Sequence, residues 1–596
     1  MAINKINQIT DPTLPKEVLG SKQFATFIEV LGEGEIEGFP SASAFTKNTA
    51  NYNTAALKDV YLNKTQILKS SADVTNLQDT DYNFKDVDFT PRFGTSTQPY
   101  IAGINKIETE FAVNAAVSYS SSVSRTLTNG IDAVRVTVSV PTLQQFNNDG
   151  NISGLTTKVT IQITDNNGTV ATPINNSITG RTANTYFRDY LISFFGSSLV
   201  HPLTVTVKRN ALDNTDPKKF DKFNWSSYTE ILYDRRAYPN TAHVALRFDA
   251  EQFPQIPNRS YRVRGLKIPI PSNGTVDSTT GAISYSGSWN GSFKTDPEWT
   301  TDPAFILFEI LTNSRFGCGA HISASQLSKY DFYAVSQYCG ASVDDGNGGT
   351  EPRFAVNGVV QQQVDAYRLI NDLCSVMRCM PFWSTGALTI SQDAPKDASY
   401  LFTLANVGEG GFTYSGSSLK SRHTVVNCGY FDMETQEIDY EEVVDSTAKT
   451  KYGAVVKQVK SLFCTSRGQA ARLGRWLLYT EQRESEICTF SIGLSAGVLI
   501  RPGAVIEISD PVRAGVRRGG LIKSATTTVI TVDNTDQTDL PTTNNPTLSV
   551  VLSDGSVETK TVSGISGAEI TVSSAFSSAP NSNSVWILQN DTVQTT

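Results

Sequence analysis

The sequence predicts a multidomain, mainly β protein with α+β segments, an inserted β-sandwich and a small C-terminal β-barrel or sandwich. Three observations predict it. At 596 residues the chain is longer than one hydrophobic core serves, so several domains share it. Apolar residues alternate with polar ones in three separate runs, Val134 to Val140, Val159 to Ile163 and Leu203 to Val207, which is the period of half-buried strands. The helical period is concentrated between Thr295 and Trp383 and in one further run after Ser466.

Composition narrows the class. Charged residues make up 18% and the net charge is −8, which argues against a protein that grips phosphates through a basic face. Seven cysteines (Cys318, Cys339, Cys374, Cys379, Cys428, Cys464, Cys488) are scattered inside apolar patterns without a CxxC pair, and read as reduced core residues of a protein made in a cytoplasm. The first residues, MAINKINQITDPTLP, contain no apolar signal core, and no segment reaches the eighteen or so apolar residues of a membrane helix. Delivery outside a cell is therefore expected only within a particle released by lysis.

Taken in order, residues 1–20 read as a flexible arm with two prolines. KQFATFIEVLGEGEIEGF reads as a strand, a tight acidic glycine-rich corner and a re-entry, opening a β segment over 21–100. AALKDVYLNKTQIL adds a strand pair turning at Asn63-Lys64, and a polar connection is expected to run to Pro99. Residues 101–215 form the predicted sandwich, with Asn166-Asn167-Gly168 as a hairpin turn and ANTYFRDYLISFFG (183–196) as a helical or mixed break.

An α+β domain is expected over 216–400, with strands in HVALRFDAEQF and SYRVRGLKIPIP followed by three helices. The first has Asp302 as N-cap and Pro303 at the first helical position, and should end at Gly317 and Gly319. Its residues Ala304, Phe305, Leu307, Phe308, Ile310 and Leu311 are apolar on most sides, so it belongs to a core. The second should start near Ser323 or Ser325 and stop at Gly340; the third carries Val364, Tyr367, Leu369, Ile370, Leu373, Val376 and Met377 and should stop at Pro381. Residues 401–495 combine strands, an acidic loop from Asp432 to Asp445, and an amphipathic helix from Ser466 with Ala470, Leu473, Leu477 and Leu478 on its apolar side. Residues 496–596 are almost wholly β, with a hairpin turn at Asp554-Gly555.

No residue pattern carries strong chemistry. Asp344, Asp345, Asn347 and Glu351 crowd a glycine-rich turn but lack the alternation of a calcium loop, so a solvated turn is expected. Gly32, Gly34 and Gly38 are wrongly spaced for a dinucleotide loop, and Glu33, Glu35 and Glu37 would repel an anion. Glu33, Gly34, Glu35 and Glu37 are instead read as a corner at a subunit contact. His201, His243, His321 and His423 lack any metal or triad motif. The acidic pair Glu441-Glu442 reads as part of the solvated loop. Arg467, Arg472, Arg475 and Arg483 read as a solvated helix face pairing locally with Glu481, Glu484 or Glu486. Arg513, Arg517 and Arg518 are placed in the same class. Catalytic, cofactor and metal residues are therefore expected to be none, and the residues alone point to a structural or binding protein.

A resemblance adds to this. DPAFILFEILTNSRFG, LSKYDFYAVSQYC, the loop DDGNGGTEPRF, DAYRLINDLCSVMRCMPFW and FCTSRGQAARLGRWLLYTE are similar, in that order, to the tail-tip attachment (host-specificity) protein J family of lambda-like siphophages. WSSYTEI, YPNTAHVALRFDAEQF, SGSWNGSFK and RPGAVIEISDP extend the likeness from about Gly20 to Trp586.

The resemblance implies a phage tail-hub, baseplate-hub-like architecture. The expected protein is a virion homotrimer at the tail tip, made in the host cytoplasm. It would close the tail tube below the distal tail protein, contact the tape-measure protein and other tail-tip proteins, and open for DNA, which passes through the lumen without specific binding. Host receptor contact is implied for a C-terminal region not in this chain, the last β domain being cut short or completed by another chain. The competing expectations are a tail-associated glycan or peptidoglycan hydrolase and a stand-alone receptor-binding adhesin.

Overall fold

The computed structural model describes residues 24–591, apart from 85, 102–105, 172, 195–196, 234, 362–364, 385, 419–421, 515–516 and 535–541. The expected arm at 1–20 lies outside the described residues, as does Val364. The chain divides after Leu266 into two units. Among the described residues no helix is long and apolar enough to cross a membrane.

The first unit opens on an antiparallel sheet in which Thr241–Asp249 lies between Phe24–Glu33 and Asp88–Phe93. The last of these replaces the expected polar connection: Phe89 and Phe93 are buried beside Leu246 and Ala242, so long-range pairing decided a stretch whose local composition is turn-like. Helix α1 (Ala50–Ala56), capped by Thr49, lies within the stretch 21–100 expected to be β and overlaps the expected strand pair only at Ala55 and Ala56. Its Tyr52, Ala55 and Ala56 enter the same core. The strand pair after it is as expected, with Asn63 and Lys64 both at positive φ (51° and 66°), the conformation of a type I′ hairpin turn.

The sandwich occupies the rest of this unit. One four-stranded sheet runs Ile174–Gly180, Leu155–Thr164, Thr204–Arg209, Val123–Thr126; the other runs Tyr186–Ser193, Ala133–Val140, Phe223–Tyr233, Lys106–Val117. The alternating valines and isoleucines meet between the sheets, with Trp225 and Tyr190, at about 1.5–3 kcal/mol for each fully buried large apolar side chain. Two expectations are corrected. The helical or mixed break expected at 183–196 is a strand over its described part, because Tyr186–Ser193 pairs along all of Ala133–Val140 and sends Tyr190 and Ile192 into the core. The boundary at 215 falls short, because Phe223–Tyr233 hydrogen-bonds to strands on both sides within its sheet.

The second unit holds helices α2 (Pro303–Thr312), α3 (Lys329–Gly340) and α4 (Ala366–Val376). Asp302 caps α2 by accepting from the Phe305 amide at 2.8 Å. The expected ends of α2 and α4 and the start of α3 move, each for a local reason, while α3 stops at Gly340 as expected. Helix α2 stops at Thr312, where Asn313 turns extended; Gly317 and Gly319 are needed because a Cβ would lie 2.0 Å from the Ile310 oxygen and 2.1 Å from the Thr312 oxygen as the loop folds back. Helix α3 begins later than Ser323, which caps a separate 3-10 turn, and Gly340 serves close approach, since a Cβ would lie 2.5 Å from the Ile283 oxygen. Helix α4 ends at Met377 and Arg378, the latter in the left-handed region (φ 53°), while Pro381 lies inside the strand Cys379–Ser384.

Two more helices follow, α5 (Ser446–Tyr452) and α6 (Arg467–Arg483), and α6 packs on a sheet ordered Glu437–Val444, Val425–Asp432, Val456–Lys460. Ser466 caps α6, and Ala470 and Leu478 are buried on its apolar side. Asp432 to Asp445 is mainly the strand Glu437–Val444, not a loop, because it pairs register for register with Val425–Asp432. Beyond it, six strands between Gly519 and Gln589 close a barrel, with the Asp554-Gly555 turn as expected. The seven cysteines are all free thiols.

A pH effect follows from the cap of α2. Asp302 is buried, Ser336 Oγ donates to its Oδ2 at 2.8 Å, and burial holds its carboxyl up, at about 6. The folded chain thus keeps a proton that the unfolded chain releases near pH 4. Stability should fall as pH rises from about 4 to about 6 and level off above that, and Asp302→Asn, which keeps a capping oxygen, should flatten this slope. Hydrogen exchange of residues 303–340 across a pH series, corrected for intrinsic rates, checks it; an unchanged slope in the variant would exclude Asp302 as the source.

Candidate interaction surface

The acidic corner is built by glycines in close approach. Strand Phe24–Glu33 turns at Gly34 (φ 92°) into Ile36–Gly38, and the Gly34 amide donates to the Asn240 oxygen at 2.7 Å. That amide is therefore committed and cannot cradle a phosphate. Gly94 lies against the corner, where a Cβ would stand 2.0 Å from the Gly34 oxygen. Gln98 ties the region together: its amide nitrogen donates to the oxygens of Ala237, Tyr238 and Thr241, and its oxygen accepts from the Gly94 amide. Glu33 accepts from Thr241 Oγ1 at 3.5 Å and Glu37 stands 3.7 Å from Lys47, while Glu35 is exposed. Glu33, Gly34, Glu35 and Glu37 thus sit together on one braced bend, a platform that suits contact with a basic surface.

Arg467 and Arg472 pair across the fold and not with the expected Glu481, Glu484 or Glu486. Arg467 reaches Glu441 at 2.7 Å, and Arg472 reaches Glu351 at 2.6 Å and three backbone oxygens between Asp344 and Arg353. Glu481 is taken by His423 and Lys457, at 2.9 and 2.8 Å. Arg513 pairs with both oxygens of Glu486, and Arg517 with Asp533. Arg472 is largely buried and ties α6 to the 344–353 loop, while Arg467, Arg513 and Arg517 make exposed pairs.

The remaining candidates disperse. In the loop Asp344 to Glu351, Asp345 accepts from the amides of Asn347 and Gly349, and Glu351 from Ser466 Oγ and Arg472. Glu441 and Glu442 are neighbours on a strand and point to opposite faces, so they do not make a facing carboxylate pair. Among the described residues no group of His, Cys, Asp and Glu is placed to hold a metal.

One surface was missed in the sequence. The sheet of Glu437–Val444 is covered on one face by α6, through Val426, Cys428 and Tyr430. Its other face carries Phe431, Ile438, Tyr440, Val444 and Val456, all exposed. The alternation of Ile438, Tyr440 and Val444 was the available signal, masked by the acidic residues between them. Phe431, Ile438 and Tyr440 form one apolar patch there, separated from Val444 and Val456 by the polar row Glu442, Asn427 and Gln458, and such a patch suits contact with another protein surface.

The comparisons with known proteins agree in kind. The family described as "Tip attachment protein J, FNIII-A domain" matches residues 107–234, the range of the sandwich, and "Putative phage tail protein" matches residues 365–522. Tip attachment protein J of Escherichia phage SECphi27 is 34% identical over 457 residues, 76% of this chain and 37% of that protein. Its counterpart in Escherichia phage SECphi4 is 30% identical over 578 residues, 95% of this chain and 47% of that protein. The chain thus spans less than half the length of these relatives. A 43 kDa tail protein of prophage MuSo2 from Shewanella oneidensis aligns at 12% identity over 66% of this chain and 89% of its own, with a TM-score of 0.21, too low to carry an argument.

Proposed function

The chain belongs to the tip attachment protein J family, and from that premise we propose that it is a structural protein of a phage tail tip, with a baseplate-hub-like role. The observation that carries the reading is the likeness to proteins of that name along 95% of the chain. In the proposed arrangement three copies close the tail tube beneath the distal tail protein and meet the tape-measure protein and other tail-tip proteins. The chain is made in the host cytoplasm and carried in the virion. Contact with the host receptor is assigned to sequence that the longer relatives have beyond this span. DNA passes without specific binding, consistent with the net charge of −8. Opening is a rigid-body shift of domains about their connections, with no catalysed step.

The braced corner at Glu33 to Glu37 and the bare sheet face at Ile438 and Tyr440 supply surfaces of the two kinds such an assembly needs, one acidic and one apolar. The test is a three-fold-averaged electron cryomicroscopy map of the tail tip. Three traceable copies of this chain are expected; density that is absent, or lacks three-fold symmetry, would reject the hub. Replacing Glu33, Glu35 and Glu37 together by alanine should reduce the yield of complete tails without unfolding the protein, and unchanged tail assembly would remove the corner from the contact. A zymogram with purified protein should stay blank, whereas clearing would favour the hydrolase.

A further inference from the structure

A cavity of about 520 Å3 in the second unit opens between helix α6, the end of α4 and the strand Cys379–Ser384. Its wall is mainly apolar, with Phe354, Met380, Leu473, Trp476 and Val505, and two cations line it, Lys460 and Arg378. The left-handed backbone at Arg378 directs its side chain between two rings: the guanidinium carbon lies 4.9 Å from the centre of Trp476 and 5.2 Å from that of Phe354.

No carboxylate contacts this guanidinium among the described residues, and the charge of Asp393 acts on it only from farther off. Nη2 donates to the Arg472 oxygen at 3.3 Å, Nε is buried without a partner, and Arg378 forms no ion pair among the described residues. The neighbouring carboxylate of Asp393 is turned to the indole instead, accepting from Trp476 Nε1 at 3.1 Å, and Asp393 is itself exposed. The adjacent arginines do not help. Arg472 is answered by Glu351, and Arg353 stacks on Tyr338 at 4.3 Å with its Nε also unpartnered. Burial lowers the pKa of Arg378, and the opposing charges of Tyr338 and Asp393 do not make up for it beside Arg353 and Arg472. Such a charge is costly unless a hydrogen-bonded anion accompanies it.

We propose that this cavity binds an amphipathic carboxylate, an apolar group in the hollow with its carboxylate on Arg378, as presented by an acidic segment of a neighbouring protein. That the neighbour is another tail protein rests on the function proposed above; the ligand chemistry does not. A planar guanidinium offers paired donors to a carboxylate, and the apolar wall selects against a small hydrated anion.

The probe is hexanoate, titrated into the purified 596-residue chain by isothermal calorimetry or saturation-transfer NMR, with hexylamine and inorganic phosphate as controls. Hexanoate should saturate, with phosphate at least about tenfold weaker and hexylamine silent. Arg378→Gln should weaken hexanoate by at least about tenfold, since the charged partner is gone. Should that variant fail to fold, Met380→Trp fills the cavity from a half-exposed position and should abolish binding (Met380 is 49% exposed). No saturable hexanoate binding, equal binding of hexylamine or phosphate, or full affinity in Met380→Trp would overturn the proposal. These outcomes leave the tail-tip map untouched, so the two readings fail separately.

Discussion

Asp221→Ala is expected to destabilise the sandwich by about 3–5 kcal/mol, because it strands a buried arginine. The Arg209 side chain is 1% exposed, and its Nη2 lies 2.7 Å from Asp221 Oδ2. The rest of the guanidinium is satisfied by the Asp221 oxygen at 2.7 Å, Thr157 Oγ1 at 3.2 Å and the Ala211 oxygen at 3.1 Å. Asp213, at 3.3 Å from Nε, is partly exposed and shares the charge only from the rim. Removing Asp221 therefore leaves most of a desolvated positive charge without its main partner. Removing both ends together, as Arg209→Met with Asp221→Leu, should cost less than the single change, since two apolar side chains do not need each other's charge. A chain of several domains does not unfold in one step, so local hydrogen exchange over residues 155–230 is the proper readout. A double variant no more stable than Asp221→Ala would show that packing, not charge, holds this end of the sandwich.

Trp586→Ala should cost the barrel about 3–5 kcal/mol, through the cavity left by the indole. Strand Val585–Gln589 closes the barrel, hydrogen-bonded on one side to Gly519–Ala525 and on the other to Thr547–Val551. Trp586, fully buried, packs with Ile522, Leu548 and Val550, and its Nε1 donates to Asp533 Oδ1 at 3.1 Å, the same carboxylate that holds Arg517. Trp586→Phe should lose less than half as much, because it keeps most of the apolar volume and Asp533 keeps its arginine. Limited proteolysis within 519–589 reads both variants. If Phe and Ala are equally damaging, the hydrogen bond to Asp533 matters more than the packing.

Where local pattern and long-range partner agree, the chain was legible before any coordinates. Asp302 with Pro303, Ser466, Asn63-Lys64 and Asp554-Gly555 each announce a cap or turn through their own backbone chemistry, and the structure uses all four. The valine runs read equally well, because the apolar face of each meets the opposite sheet inside one sandwich. The segments 183–196 and 432–445 were misread for one shared reason. Aromatic and acidic residues interrupt their alternation, and only pairing with an already formed strand, Ala133–Val140 or Val425–Asp432, makes them strands.

The sequence by itself determined the mainly β class, the caps and turns, the buried face of α6 and the family, since these depend on neighbours within a few residues or on collinear likeness. Tertiary structure alone decided what the side chains do. Glu441 serves Arg467 and not Glu442, Gly340 answers the Ile283 oxygen, and Arg378 stands between Phe354 and Trp476 with no ion pair among the described residues. Each of these is a contact between residues distant in the chain, set by how whole elements pack, and no local period encodes it.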